Sequence, residues 1–293
     1  MKNRVWIGII GASLALTACF KEEAPGTPAY IRVEGLQLEV DSNGSQGAGT
    51  ANITDAWISV DGQQLGASSF PATFPVILNE NFPTNSIRVT PGIKNNGITN
   101  TRAIYPFYEP YIVTEDLEPG QVLTLNPTLR YDPNAIVEVV DDFEDPNQPI
   151  FTVDLDNNTN TGIISQSDEV LSGNYSGKIT IDANNLECTV ATSVRYANLT
   201  NITATPVYIE MDYKTNVPIQ VGLRAHYDAN NIDAIYKGGV NNSNGTWRKI
   251  YFEFTREVFA SNAPEYSVLF RAVRSPDVDV PEVYIDNIKL VHF

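Results

Sequence analysis

The chain is short of the residues from which most catalytic and metal sites are built. It has two histidines, His226 and His292, and two cysteines, Cys19 and Cys188. No H-E-x-x-H run, paired-cysteine zinc motif, G-x-S-x-G elbow or glycine-rich phosphate loop occurs. A Ser-His-Asp triad would have to be built on His226, which reads instead as a solvent-facing histidine at a strand end. Basic charge is also scarce: 19 Lys and Arg stand against 35 Asp and Glu, a net charge of -16. That balance argues against nucleic acid as a partner, because binding it needs cationic stripes to neutralise phosphates. It also argues against attraction to an anionic membrane surface. Beyond the first 20 residues no apolar run approaches the length of a membrane-spanning helix.

What is present begins at the N-terminus. Met1-Lys2-Asn3-Arg4 is a positive head, and Val5 to Ala15 is an apolar run too short to span a bilayer. Leu16-Thr17-Ala18-Cys19 closes it and resembles the lipobox of bacterial lipoproteins. The resemblance implies cleavage after residue 18 and acylation of Cys19; the other reading is an ordinary secretory signal with a chance cysteine. Cleavage would remove Lys2 and Arg4 and no acid, making the chain more negative by two. Acyl chains would then supply the membrane attachment, each buried methylene contributing about 0.8 kcal/mol. Phe20-Lys21-Glu22-Glu23 resembles the export signal of surface-exposed lipoproteins in the Bacteroidota. It implies an outer-membrane lipoprotein displayed at the cell surface, the alternative being one that faces the periplasm. Cys188, left without an internal partner, reads as a small buried apolar side chain.

The expected organisation is a signal peptide over 1–18, a tether over 19–29, a β-sandwich over 30–131 and a second β unit over 135–293. The fold class is all-β. Runs rich in Val, Ile, Tyr, Phe and Thr recur between clusters of Asn, Gly, Pro and Asp, and almost nothing has a helical period. In the first block, strands are predicted at 31–33, 36–40, 56–60, 75–78, 86–90, 104–114 and 122–125. Asp61-Gly62, Pro91-Gly92, Asn96-Gly97 and Pro119-Gly120 read as turns. The count suits an immunoglobulin-like or prealbumin-like sandwich. Thr54-Asp55-Ala56-Trp57, Pro91 to Gly97 and Arg102 to Tyr108 resemble a module of uncharacterised Bacteroidota lipoproteins, which implies no activity.

In the second block Val207, Ile209, Met211 and Tyr213 fall on one face, with Glu210, Asp212 and Lys214 on the other. Ile219, Val221, Leu223 and Ala225 alternate in the same way. Asp142-Phe143-Glu144, Ser172 to Lys178, Gly245 to Ile250 and Tyr284-Ile285-Asp286-Asn287-Ile288 occur in that order. Together they resemble the galactose-binding-like jelly rolls of many carbohydrate-binding modules. The resemblance implies a jelly roll following the sandwich, and a structural calcium ion held by Glu144 from the first strand and Asp286 from the last.

The remaining candidates are aromatic or acidic. Tyr227 and Tyr236 flank the polar turn 228–233 and are candidate ligand contacts at a jelly-roll rim, whereas Trp247 reads as a core residue. Tyr105, Phe107, Tyr108 and Tyr111 lie among prolines; exposed they would be an interaction surface, buried a bent edge strand. Asp141-Asp142-Phe143-Glu144-Asp145 is the densest acidic cluster. A glycosidase pair needs only two carboxylates about 5 to 10 Å apart, but a solvated strand end in so acidic a chain is the favoured reading of these residues. Three functions follow: a non-catalytic, lipid-anchored protein recognising glycan through the jelly roll; an accessory subunit of an outer-membrane import, export or insertion complex; and a glycoside hydrolase-like enzyme.

Overall fold

Residues 207–226 alternate apolar and polar side chains, and in the structure they form two strands, Val207–Thr215 and Ile219–His226. The computed structural model describes residues 26–79, 84–199 and 205–293. Cys19, the expected lipidation site, lies outside the described residues. The described chain is almost wholly strand, as the sequence predicts, with a single helix at Thr255–Ser261.

The strands of residues 136–292 make two sheets packed face to face, a β-sandwich of the jelly-roll kind. One contains Gly162–Gln166, Ser176–Thr180, Val283–His292, Val207–Thr215 and Arg248–Glu253 in that order. Ile136–Asp141 pairs with the far end of Val283–His292, so the first and last strands of the block are neighbours. The second sheet runs Val153–Asp154, Glu187–Ala191, Glu265–Val273, Ile219–His226, Ile232–Val240, with Tyr196–Ala197 beside Glu265–Val273. Ile209, Met211, Phe252 and Leu290 meet Val190, Val221, Leu223 and Phe270 between them. Burying side chains of this size contributes about 1.5–3 kcal/mol each.

Residues 29–129 supply a five-stranded sheet centred on Thr84–Lys94, a three-stranded sheet centred on Ala29–Val33 and a short parallel pair. Ile31 and Val33 pack against Ile58, Ile87 and Val89. Asp61-Gly62 turns the predicted hairpin, both with positive φ (52° and 80°). Pro91-Gly92, predicted as a turn, instead lies inside Thr84–Lys94. Gly92 is needed there because a Cβ would stand 2.8 Å from Nε1 of Trp57. The strand predicted over 104–114 is broken into Arg102–Ile104 and Tyr111–Asp116, which pair with opposite ends of Thr84–Lys94. Between them Pro106 and Pro110 lack the N–H that a ladder requires, and the chain leaves the sheet.

That departure joins the two blocks. Val207–Thr215 is buried on both faces, because the polar face carrying Glu210 and Asp212 is roofed by the first block. Tyr105, Phe107 and Tyr108 are buried against Tyr208, Tyr251 and Val291, so of the two readings of this aromatic segment the interaction surface for an outside partner is excluded; Tyr111 is half-buried at its edge. The cause is area and polarity together: the rings cover the apolar half of the sheet face, and the Tyr105 hydroxyl serves its buried acid Glu210. Glu210, 0% exposed, accepts from Tyr105 Oη and, at 3.0 Å, from Tyr131 Oη. Lys249 Nζ lies 3.6 Å from both Glu210 and Asp212, and Lys289 Nζ donates to Ala48 O at 2.7 Å. Burial, reinforced by the Glu210 charge, pushes Tyr105 and Tyr131 far above the ordinary tyrosine range, so both hydroxyls remain protonated donors. Burial lowers Lys289 to about 8. At the sheet edge Asn96 N donates to Tyr251 O (2.9 Å) and Asn95 Nδ2 to Glu253 Oε2 (2.8 Å).

Glu210→Ala leaves the Tyr105 and Tyr131 hydroxyls buried without their acceptor and takes one of two carboxylates from Lys249, which keeps Asp212. We expect a loss of about 3–5 kcal/mol in chemical denaturation. A change below about 0.5 kcal/mol, the usual range of surface substitutions, would show the contact to be incidental.

Candidate functional site

The first block roofs the Val207–Thr215 and Arg248–Glu253 part of one sheet, and the outward face of the other sheet carries the next candidate. Alternation sets what it carries. Val190, Val221, Leu223, Ile235 and Phe270 point into the core, so Glu187, Gln220, Gly222, Tyr236, Leu269 and Arg271 point out. Tyr236, 40% exposed, is in register with Gly222 across a β-bulge. A Cβ on Gly222 would come 3.3 Å from the Tyr236 ring and 3.2 Å from Leu269, so the missing side chain lets the ring lie low over the sheet beside Leu269. Next to it Arg271 grips Glu187 with both arms, Nε to Oε1 at 2.7 Å and Nη2 to Oε2 at 2.8 Å, while Nη1 donates to Gln220 Oε1 at 2.9 Å. The hydrogen bond from Arg271 holds the Glu187 carboxyl below the usual range. Both partners stay more than a third exposed. The result is a flat aromatic ring beside a fixed row of donors and acceptors. Tyr236, expected from the sequence as a ligand contact, is on this face; the row beside it was not expected, because Glu187, Gln220 and Arg271 come from three strands far apart in the chain.

Tyr227 does not join Tyr236. It packs against the core from the opposite side of the strand pair, at the turn where Tyr227 N donates to Asn231 O. His226 is buried, not solvent-facing: Glu265–Val273 runs alongside, and Nε2 meets Ser267 Oγ at 2.9 Å. Nδ1 has no partner among the described residues and Ser267 is itself buried, so this dyad lacks both the orienting acid and the access that a nucleophile needs. Cys188 is buried, as expected, and burial pushes its thiol up to about 12. Trp247 is half-buried rather than in the core and lines a cleft between the blocks.

The acidic turn is spent locally. Asp141, Asp142 and Asp145 each accept from the backbone N–H two residues on, at 2.9, 3.3 and 3.1 Å. Glu144 accepts from Asn174 N, Asn174 Nδ2 and Tyr175 N at 2.8–3.0 Å. Gly173, with φ of +73°, is the residue that lets this loop close over the carboxylate. Asp286 accepts from Ser172 N on the near side of the same loop and from Asn287 N. The two residues expected to hold calcium therefore brace one loop from its two ends, their oxygens aimed at N–H donors. Among the described residues no group of three His, Cys, Asp or Glu could hold a metal ion. A hard cation wants six or more oxygens, and this donor set does not fit one.

No family model matches the chain, and no curated protein sequence matches it. Among solved structures it is similar to one described under the promiscuous specificity of carbohydrate-binding modules from the β-sandwich superfamily (15% identity, 81% of this chain and 85% of that one, TM-score 0.35). It is also similar to the CBM22-2 xylan-binding domain of Xyn10C from Paenibacillus barcinonensis (15%, 52% and 97%, TM-score 0.36). A third is the enzymatically active domain of tailspike protein 4 from bacteriophage CBA120 (10%, 59% and 26%, TM-score 0.41). At these identities and TM-scores none carries a residue role or a ligand over to this chain.

The buried loop brace makes stability depend on pH. Burial, with Asp212 adding in the same direction, pushes Asp286 up to about 7 against the hydrogen bonds from Asn287 and Ser172. Between about pH 4 and 7 the folded chain keeps a proton that the unfolded chain has lost, so this contribution is full below that window and lost as pH rises through it. Thermal melts from pH 5 to 8 should fall more steeply for the unsubstituted protein than for Asp286→Asn, by on the order of 2 kcal/mol at the upper end. Parallel slopes for the two proteins would contradict the assignment.

Proposed function

We propose that the protein is a non-catalytic saccharide-binding protein, tethered to the outer membrane by acyl chains on Cys19 and displayed at the cell surface, with its sugar seated on the open sheet against Tyr236. One observation carries this reading: the outward face of the jelly roll presents the half-exposed ring of Tyr236 next to Gly222, beside the Arg271–Glu187–Gln220 row. A sugar ring has a C–H face and a rim of hydroxyls. A flat aromatic ring matches the first, and fixed donors and acceptors match the second. Because each polar side chain is already held by its neighbour, little side-chain entropy is lost on binding.

A binding rather than catalytic role is supported by how the reactive residues are used: the acids of 141–145 serve backbone N–H groups, and the His226–Ser267 pair is buried. The anchor is supported by the apolar run ending in Leu16-Thr17-Ala18-Cys19, and surface display by Lys21-Glu22-Glu23.

A glycan array probed with the protein should show saccharide binding. For the strongest neutral oligosaccharide, Tyr236→Ala should weaken affinity at least about tenfold, near 1.4 kcal/mol. Unchanged affinity in Tyr236→Ala, or an array without signal, overturns the reading of the open face. In cells, Cys19→Ala should move the chain from the membrane fraction to the soluble envelope fraction; equal membrane retention of both forms overturns the anchor.

A further inference from the structure

Where the first block meets the Val207–Thr215 and Arg248–Glu253 strands, their seam leaves an open cleft of about 540 Å³, within the size range of small-molecule sites. Its wall is Trp247, and that indole is held in place: Nε1 donates to Glu169 Oε1 at 2.9 Å, and Lys214 Nζ grips Glu169 Oε2 at 2.7 Å. Its lining is unlike the rest of the chain. Lys94, Arg248 and Lys249 face Asp212 alone, in a protein where acids outnumber bases by 35 to 19. Two of these cations are already matched. Lys94 pairs with Asp55 at 2.8 Å, and Lys249 lies between Glu210 and Asp212. Arg248 is exposed, sits at the Tyr213 hydroxyl, and has no carboxylate partner among the described residues. Asn52 lines the same cleft and spends its N–H groups on Tyr251 Oη and Lys249 O, leaving its side-chain oxygen without a partner among them.

We propose that this cleft is a second saccharide site, distinct from the open face, that takes a pyranose carrying a carboxylate: the ring lies against Trp247 and the carboxylate is received by Arg248. An aromatic plane matches the C–H face of the ring. The planar guanidinium matches a carboxylate in two parallel hydrogen bonds, which a lysine could not reproduce. One unpaired cation suits one negative charge, and the negative surface around the cleft disfavours a long polyanion. Because Lys94 and Asn52 come from the first block and Trp247 and Arg248 from the second, the site exists only where the two are joined.

Calorimetric titration of the full chain tests this with trigalacturonate, with its neutral counterpart galactotriose and with a sulfated galactose trisaccharide. Trigalacturonate should bind at least about tenfold more tightly than galactotriose, near 1.4 kcal/mol, and weaken as salt is raised from about 0.05 M to about 0.5 M. Arg248→Ala should lose that preference, Arg248→Lys should restore only part of it, and Trp247→Ala should abolish binding. Tyr236→Ala should leave trigalacturonate binding intact, which separates this site from the open face. Arg248 is exposed, so its variants keep the fold even if Trp247→Ala does not. Equal affinity for the charged and neutral trisaccharides, preference for the sulfated one, or binding untouched by Arg248→Ala overturns the proposal.

Discussion

A single carboxylate organises the molecule. Glu210 sits on the outward face of a jelly-roll sheet, wholly buried, with hydroxyls of Tyr105 and Tyr131 donating to it and Lys249 nearby. Removing such a charge from water costs several kcal/mol, and it is tolerated only where donors and an opposite charge replace the lost solvent. Those donors come from two separate stretches of the first block, so satisfying Glu210 fixes where that block sits. The surrounding rings then bury the apolar remainder of the face: Tyr105 lies edge-on to Tyr208 at 5.3 Å, and Phe107 meets Phe293 at 4.9 Å.

The two proposed binding surfaces follow from that contact. The first block covers the Val207–Thr215 and Arg248–Glu253 part of one sheet, and the other sheet presents Tyr236 and the Arg271 row to a ligand. The seam itself, where the first block meets Arg248–Glu253, leaves the cleft beside Trp247. On the open face Arg271, Glu187 and Gln220 are already hydrogen-bonded to one another, and in the cleft the Trp247 indole is held by Glu169. Glycine does the shaping. Gly222 lowers the Tyr236 ring onto the sheet, and Gly97, where a Cβ would lie 2.8 Å from Ile250, lets the loop of the first block approach the edge strand.

Much of this was legible in the sequence, and the limit falls at local information. The alternation in Val207–Thr215 and Ile219–His226 and the Asp61-Gly62 turn are local signals, and the structure follows them. The resemblance carried by the four jelly-roll pieces implied a first strand close to the last, and Ile136–Asp141 does pair with Val283–His292. Alternation also put Glu210 on the face opposite Met211, but it could not say what covers that face, because the cover comes from residues about a hundred positions away. The same gap left Tyr105, Phe107 and Tyr108 readable either as exposed or as buried. Pro91-Gly92 misled because a turn-favouring pair was serving a close approach to Trp57. Trp247 misled in the other direction: its indole is anchored by Glu169, a partner 78 residues away that no spacing rule would pair with it.

The central claim is that the two blocks form one cooperative body, fastened through Glu210. Native-state hydrogen exchange under mild denaturant reads this directly, since it resolves which segments open together. The account predicts that amides of Thr84–Lys94 and Val207–Thr215 share one protection free energy and lose it at the same denaturant concentration. Exchange of Thr84–Lys94 at markedly lower denaturant, with Val207–Thr215 still protected, would contradict it.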